Sequence, residues 1–281
     1  MNKYLHIAAI IVFSVSLSAC SGKEKKIEAE QKEALATQSQ TAEGLYQEAT
    51  AAMRRGDFNT AIPLFEQIER EFPYSKFATK SQLQAAFSAY ENDKYDQAIL
   101  ALDRFIELHP GNEEIDYAYY LKALAYYEQI SDVARDQAIT KQSLDAFDTL
   151  IKRFPDSEYT RDAKLKRDLT LDHLAGKEMQ IGRYYLKRNQ MNAAINRFQT
   201  VVKDYQTTTH VTEALHRLVE SYLILGLRQE AVKVASVLGY NYPGSKWYQD
   251  SYKILDEKSR AEILEERSFW NKTVDSLFRS E

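Results

Sequence analysis

From Ala42 onward, polar stretches are interleaved with apolar residues spaced three and four apart, the period of helices buried along one face, and no segment alternates as a strand would. The pattern repeats. Five rounds close on the similar runs Arg70-Glu-Phe-Pro73, Glu107-Leu-His-Pro110, Lys152-Arg-Phe-Pro155, Lys203-Asp-Tyr-Gln206 and Tyr240-Asn-Tyr-Pro243. These terminators lie 37, 45, 51 and 37 residues apart, near the period of about 34 residues of the tetratricopeptide repeat, with extra residues in two places. Counting back from them places small residues at fixed slots, with a large apolar residue close by. The slots hold Ala49, Ala61 and Phe65, then Ala86, Ala98 and Leu102, then Gly182, Tyr185, Ala194 and Phe198, then Val219, Tyr222 and Ala231. Two antiparallel helices approach closely only over a small side chain, and a large one fills the space beside it.

Turn residues fall between the helices of each pair: Gly56-Asp57, Asn92-Asp93, Asn189-Gln190 and Gly226. Proline ends each second helix except at Gln206, where the β-branched Thr207–Thr209 mark the break. The two irregular rounds are localised by counting from both sides. In the third, Ala123 and Tyr126 fit from the front and Ser143 and Phe147 from the back, so a loop within Glu128–Thr140 is inserted between its helices. In the fourth, the surplus precedes Gly182. With no proline between Ser157 and Arg188, it predicts a first helix lengthened by about four turns, with Gly176 as the place where it would break. The expected fold is all-α, a right-handed superhelical solenoid of about five tetratricopeptide-like helix pairs whose first helices line a concave binding face. Tyr117, Tyr119, Tyr120, Tyr126 and Tyr127 share one helix, where most are expected in the core and the rest facing the groove as rigid contact area.

The N-terminus reads differently. Lys3 supplies a sparse positive region, Ile7 to Val15 a short apolar run, and small residues precede Cys20, as in a secretory signal at residues 1–19. The run is too short to span a bilayer. Leu17-Ser18-Ala19-Cys20 resembles the lipobox of bacterial lipoproteins, which makes Cys20, the one cysteine of the chain, the expected lipidation site. An ordinary signal peptide would leave an unpaired thiol in an oxidising compartment, whereas lipidation consumes it. Two or three acyl chains make attachment effectively permanent. Ser21, rather than Asp, after the cysteine favours the outer membrane by the enterobacterial sorting rule. Residues 20–41 hold almost no large apolar side chain and are expected to be a flexible tether spanning roughly 25 Å.

Composition narrows the chemistry. A net charge of −4 without any Lys/Arg block argues against nucleic acid. There is no Gly-rich phosphate loop, no His-Glu-x-x-His and no nucleophile elbow, so no catalytic residue and no enzyme activity is expected. His210-x-x-Glu213 with His216 has a spacing that would allow a metal, but solvated or capping histidines are the commoner outcome, and no metal or cofactor is expected beyond the covalent lipid on Cys20.

Lipobox, polar tether and five repeats together resemble the BamD family, the lipoprotein component of the outer-membrane β-barrel assembly machinery. Ile115-Asp-Tyr-Ala-Tyr-Tyr-Leu-Lys-Ala-Leu124, Phe154-Pro-Asp-Ser-Glu-Tyr-Thr-Arg-Asp-Ala163, Gly182-Arg-Tyr-Tyr-Leu-Lys-Arg188 and Ala194-Ile-Asn-Arg-Phe198 carry the resemblance, which covers about Cys20 to Lys253. The third-round loop, Asp132-Val-Ala-Arg-Asp-Gln137, looks like the alphaproteobacterial branch. The resemblance implies a non-enzymatic scaffold anchored in the outer membrane, facing the periplasm, which supports insertion of β-barrel proteins alongside accessory lipoproteins. It implies that repeats 1–3 (residues 42–155) receive unfolded barrel precursors through Phe72, Tyr74 and Phe77, residues whose alternative role is packing the turn between repeats. It implies that repeats 4–5 (156–253) dock on the periplasmic repeats of the barrel-forming subunit, with Arg197 in the contact, or else solvated on its helix. Asn59 stands where the family can place a basic residue, which weakens the electrostatic part of peptide capture.

Residues 254–281 carry Ile263, Leu264, Phe269, Trp270, Val274, Leu277 and Phe278 at roughly helical spacing, as a capping or a partner-docking helix would. Other readings are a different tetratricopeptide lipoprotein, such as a pilus-secretin pilot or a peptidoglycan-linked division factor, or a repeat protein engaged in cell-wall chemistry. The tether lacks the heptads that division factors usually add.

Overall fold

The computed structural model describes residues 41–133 and 135–255, and every regular element among them is a helix. In chain order these are α1 (Ala42–Arg54), α2 (Phe58–Glu71), α3 (Ala78–Glu91), α4 (Tyr95–Leu108), α5 (Ile115–Tyr127), α6 (Ala138–Arg153), α7 (Thr160–Lys187), α8 (Met191–Asp204), α9 (Val211–Ile224), α10 (Arg228–Asn241) and α11 (Lys246–Ile254). The expected all-α, tetratricopeptide-like repeat is present. Ten helices form the five expected pairs, and α11 begins a further round. The lipobox, the tether up to residue 40 and the segment after Leu255 lie outside the described residues.

Local chemistry sets the helix ends. The Thr41 hydroxyl accepts from the N–H of Gly44 at the head of α1, and the Asp57 carboxylate from that of Thr60 at the head of α2, each satisfying one of the donors a helix start leaves unpaired. The second helices end on Phe72, His109, Phe154, Tyr205 and Tyr242, whose N–H groups bond four residues back. Prolines follow four of these caps, and Gln206 follows the fifth without changing the geometry. Pro63 lies inside α2, still in its N-terminal half, and the helix continues past it.

The chain divides into two compact units meeting within α5, one up to Leu121 and one from Lys122. The core of the first is built from Leu45, Ala49 and Ala52 of α1, Ala61, Phe65 and Ile68 of α2, and Ala85 of α3. In the second, Ala175 and Met179 of α7, Ala194, Ile195, Phe198 and Val201 of α8, and Val211, Ala214, Leu215 and Leu218 of α9 form the main cluster. Leu255, just past α11, closes a second cluster with Val219 and with Ala231, Val232 and Ala235 of α10. Most small and large slots read from the sequence are buried: Ala49, Ala61, Phe65, Ala86, Ala98, Leu102, Ala194, Phe198, Val219 and Ala231 are sealed from solvent, whereas Tyr185 and Tyr222 are half-buried.

Both irregular rounds are where counting placed them. Residues 128–137 separate α5 from α6, and α7 has 28 residues, against 13 or 14 in the other first helices from α1 to α9. The helix does not break at Gly176. That residue is a buried notch instead: a β-carbon there would stand 3.2 Å from His210 Nε2 and 3.8 Å from Val133 Cγ1, so the inserted loop and the start of α9 both lean on α7 at this point. The tyrosines of α5 also depart from expectation. Ala118, Leu121, Ala123, Leu124 and Ala125 take its core face, and all five tyrosines are only half-buried.

Candidate functional site

The turn between the first and second repeats separates the three aromatic residues assigned to precursor binding. Phe72 caps α2 and packs on the first core cluster together with Phe77. Phe77 is stacked on Tyr46, centroids 5.1 Å apart, and covered by the Lys76 ammonium at 5.0 Å. Both therefore hold the turn, as their alternative reading had it. Tyr74 is fully exposed, so of the three it alone presents a whole ring to a ligand.

At the opposite end of these helices, Asn59 Oδ1 accepts from Asn92 Nδ2 and from Lys94 Nζ, each at 3.0 Å. Lys94, from the following repeat, thus places a cation beside Asn59. No spacing rule pointed to Lys94, because the pairing depends on how α1–α2 and α3–α4 stack.

Arg197, on α8, is half-exposed and bonds Glu178 of α7 at 3.0 Å, with the carboxylate mostly covered. It is therefore neither freely solvated nor buried; an incoming partner carboxylate would compete with Glu178. Tyr205 lies within the field of the same carboxylate: burial first, then the charges of Glu178 and Asp204, raise its phenol above the ordinary range. The three residues of the metal-like spacing have separate partners. His210 faces Asp172 at 3.5 Å, Glu213 bonds Arg183 and Arg217, and His216, buried, bonds Ser251 at 2.8 Å and faces Glu220 at 3.5 Å. Among the described residues no group of three such side chains converges as a metal site would require.

These contacts link into a ladder that sequence reasoning missed. It runs from Arg183 of α7 through Glu213, Arg217, Glu220 and His216 of α9 to Ser251 of α11, with the Arg217 guanidinium 5.4 Å over the Trp247 ring. The i,i+3 and i,i+4 spacings within α9 were visible in the sequence; the crossings to α7 and α11 were not.

Each unit also carries a groove between successive second helices. In the first, about 660 Å³ lies between α2 and α4 over α3, and it is charged: Glu69 accepts from Gln82 at 2.8 Å and pairs with Arg104, while Gln97 donates to Glu66 at 3.2 Å. In the second, about 670 Å³ lies between α8 and α10 over α9; Val202, Leu215 and Val237 replace Glu69, Gln82 and Arg104, with Leu218 and Val234 beside them, and polar residues such as Gln199, Lys203 and Lys233 border this apolar strip. This second groove shares α8 with Arg197.

Stacked helix pairs that cross over small residues define a tetratricopeptide-like repeat protein. The family model described as outer membrane lipoprotein, YfiO, matches residues 38–238, and the chain belongs to that family. It is 45% identical over 259 residues to the outer membrane protein assembly factor BamD of Caulobacter vibrioides, covering 92% of this chain and 83% of that one. It is 45% identical over 249 residues to that of Rickettsia prowazekii, covering 89% and 96%. To that of Neisseria meningitidis serogroup A it is 34% identical over 257 residues, covering 88% and 95%. The higher identity to Caulobacter and Rickettsia agrees with the alphaproteobacterial loop, and the shared name leaves the secretin-pilot and division-factor readings without support.

Proposed function

We propose that this chain is a scaffold of the outer-membrane β-barrel assembly machinery, acting by binding and carrying out no chemistry of its own. The observation that carries the reading is 45% identity along nine-tenths of the chain to proteins named outer membrane protein assembly factor BamD. Lipid on Cys20 would hold it at the periplasmic face of the outer membrane, with the repeats within a few nanometres of the bilayer.

Two surfaces divide the work. Tyr74, exposed on the turn between repeats 1 and 2, would receive the aromatic-ended signal of an unfolded barrel precursor, since a ring offers rigid contact area at low entropic cost. Arg197 and the apolar groove beside it would dock the periplasmic repeats of the barrel-forming subunit, with accessory lipoproteins completing the complex. Charge at the rim and apolar contact at the centre is the usual anatomy of such an interface. The test is detergent solubilisation of membranes followed by affinity capture on this chain. A large barrel protein with periplasmic repeats is the expected partner, and its absence would overturn the reading.

A further inference from the structure

Four of the turns that join the helices of a pair share one backbone. In each, the third residue is left-handed, with φ 76° at Gly56, 57° at Asp93, 59° at Asn189 and 74° at Gly226. In each, the fourth residue donates its N–H five residues back, Asp57 to Ala52, Lys94 to Ala89, Gln190 to Tyr185 and Leu227 to Tyr222, at 2.9 or 3.0 Å. A backbone closed the same way four times places no demand on the flanking side chains. Three turns are polar at those positions: Arg54-Arg55 and Asp57, Glu91-Asn92 and Lys94, Lys187-Arg188 and Gln190. The fourth reads Ile224-Leu225-Gly226-Leu227, with side chains 61%, 41% and 47% exposed. Leu227 even takes the N-cap of α10, forgoing the bond by which Asp57 caps α2.

Aliphatic side chains that the fold does not require, held at a protruding tip, mark a contact surface. Its surroundings indicate the chemistry of what is contacted. α7 and α9 lie side by side in the same direction, joined by Arg183 to Glu213 at 3.0 Å and by Asp172 accepting from Thr209 at 2.9 Å. Their C-terminal turns therefore share one edge of the second unit. That edge also carries Lys187 and Arg188, both exposed, with the Arg188 guanidinium 4.5 Å over the half-exposed ring of Tyr184. Glu230, the nearest acid in sequence, is taken by Lys233 at 2.9 Å. Aliphatic tips, a tyrosine and cations on one edge suit a phospholipid interface: the aliphatics reach the acyl boundary, the ring sits at headgroup depth and the cations meet anionic phosphates.

We propose that this edge of the second unit rests on an anionic phospholipid surface, with Ile224, Leu225 and Leu227 as the inserted tip. The inference rests on the turn geometry and on the cations and ring sharing its edge, and is independent of the scaffold reading. It is tested with the mature full chain carrying Cys20→Ser, which removes both the acyl chains and the native thiol. An environment-sensitive fluorophore is placed at Leu225→Cys or, as control, at Leu100→Cys, an exposed apolar site on α4. With phosphatidylethanolamine/phosphatidylglycerol vesicles, the probe at 225 should shift to the blue and be quenched by spin-labelled lipid, while the probe at 100 should not. Without a probe, Leu225→Asp should lower vesicle co-sedimentation about tenfold at unchanged circular dichroism, and Lys187→Glu with Arg188→Glu should lower it on anionic but not on neutral vesicles. A silent probe at 225, equal responses at both sites, or a response requiring added protein rather than lipid would overturn the proposal. Capture of the barrel subunit in detergent, where no bilayer is present, reads the scaffold function separately.

Discussion

The ring of Phe198 lies so close over Gly182 that a β-carbon on the glycine would overlap it. This is the crossing point of α7 and α8, and a side chain there must push the helices apart or turn the ring. Gly182→Ala is expected to destabilise the protein by about 1–3 kcal/mol, read as a lower midpoint in urea. Gly111→Ala, where a β-carbon meets nothing, is the reference and should leave the midpoint in place.

Replacing Arg197 by Leu should separate stability from binding. The pair with Glu178 is half-exposed, so its loss should change folding by under about 1 kcal/mol. Capture of the barrel subunit should weaken by about 2–5 kcal/mol if the arginine meets a buried carboxylate there. The exchange Arg197→Glu with Glu178→Arg rebuilds the internal pair in reverse, and normal capture by that variant would assign Arg197 to stability alone.

The aromatic turn should divide in the same manner. Tyr74→Ala is expected to leave thermal unfolding unchanged and to weaken cross-linking of a barrel-precursor C-terminal peptide. Phe77→Ala removes the ring stacked on Tyr46 and should cost about 2 kcal/mol of stability. Equal peptide capture by Tyr74→Ala and the parent chain would remove the residue from the binding site.

Acid should act through the ladder on α9. The Glu220 carboxyl is held below its ordinary range, first by its hydrogen bond with His216 and further by Arg217, against the opposing effect of burial. Such a carboxyl binds fewer protons folded than unfolded. Its contribution is therefore complete above its ordinary value of 4.5 and fades as pH falls through the lower folded value. The parent should exceed Glu220→Gln in stability at pH 7, and the two should converge as pH falls below that value; a gap that persists in acid would mean the charge is not what matters.

Cys20→Ala should convert permanent attachment into peripheral binding that a carbonate wash removes, with the helical signal intact. A variant still sedimenting with membranes after a carbonate wash would show that retention does not depend on the lipid.

The repeat was legible because its code is local. Ala49, Ala86, Ala98, Ala194 and Ala231 were placed by counting from a terminator, and all are fully buried, since a close crossing admits only small residues at those slots. The turns at Gly56 and Gly226 were legible for the same reason. Side-chain partners were not. Lys94 finds Asn59 and Arg197 finds Glu178 across 35 and 19 residues, distances set by how one helix crosses another rather than by any spacing along the chain. The tyrosines of α5 misled because a helix packed on two sides was expected to bury most of its rings, while three alanines on the same helix fitted the contact better. Gly176 misled because a glycine inside a helix reads as a weak point, and its use as a notch appears only once His210 and Val133 lie against it.

That notch makes two apparently separate additions to the repeat into one heritable part. Val133 and Gln137, from the inserted segment, meet α7 at Gly176 and His173, the latter at 3.3 Å from the Gln137 amide oxygen; His173 ends the stretch by which α7 exceeds its counterparts and Gly176 follows within a turn. Shortening either alone would leave the other without its counterpart. A chimera that trims the insertion and the extra turns together should tolerate the change better than one that trims either, so comparisons between repeats of different length must treat the pair as one indel.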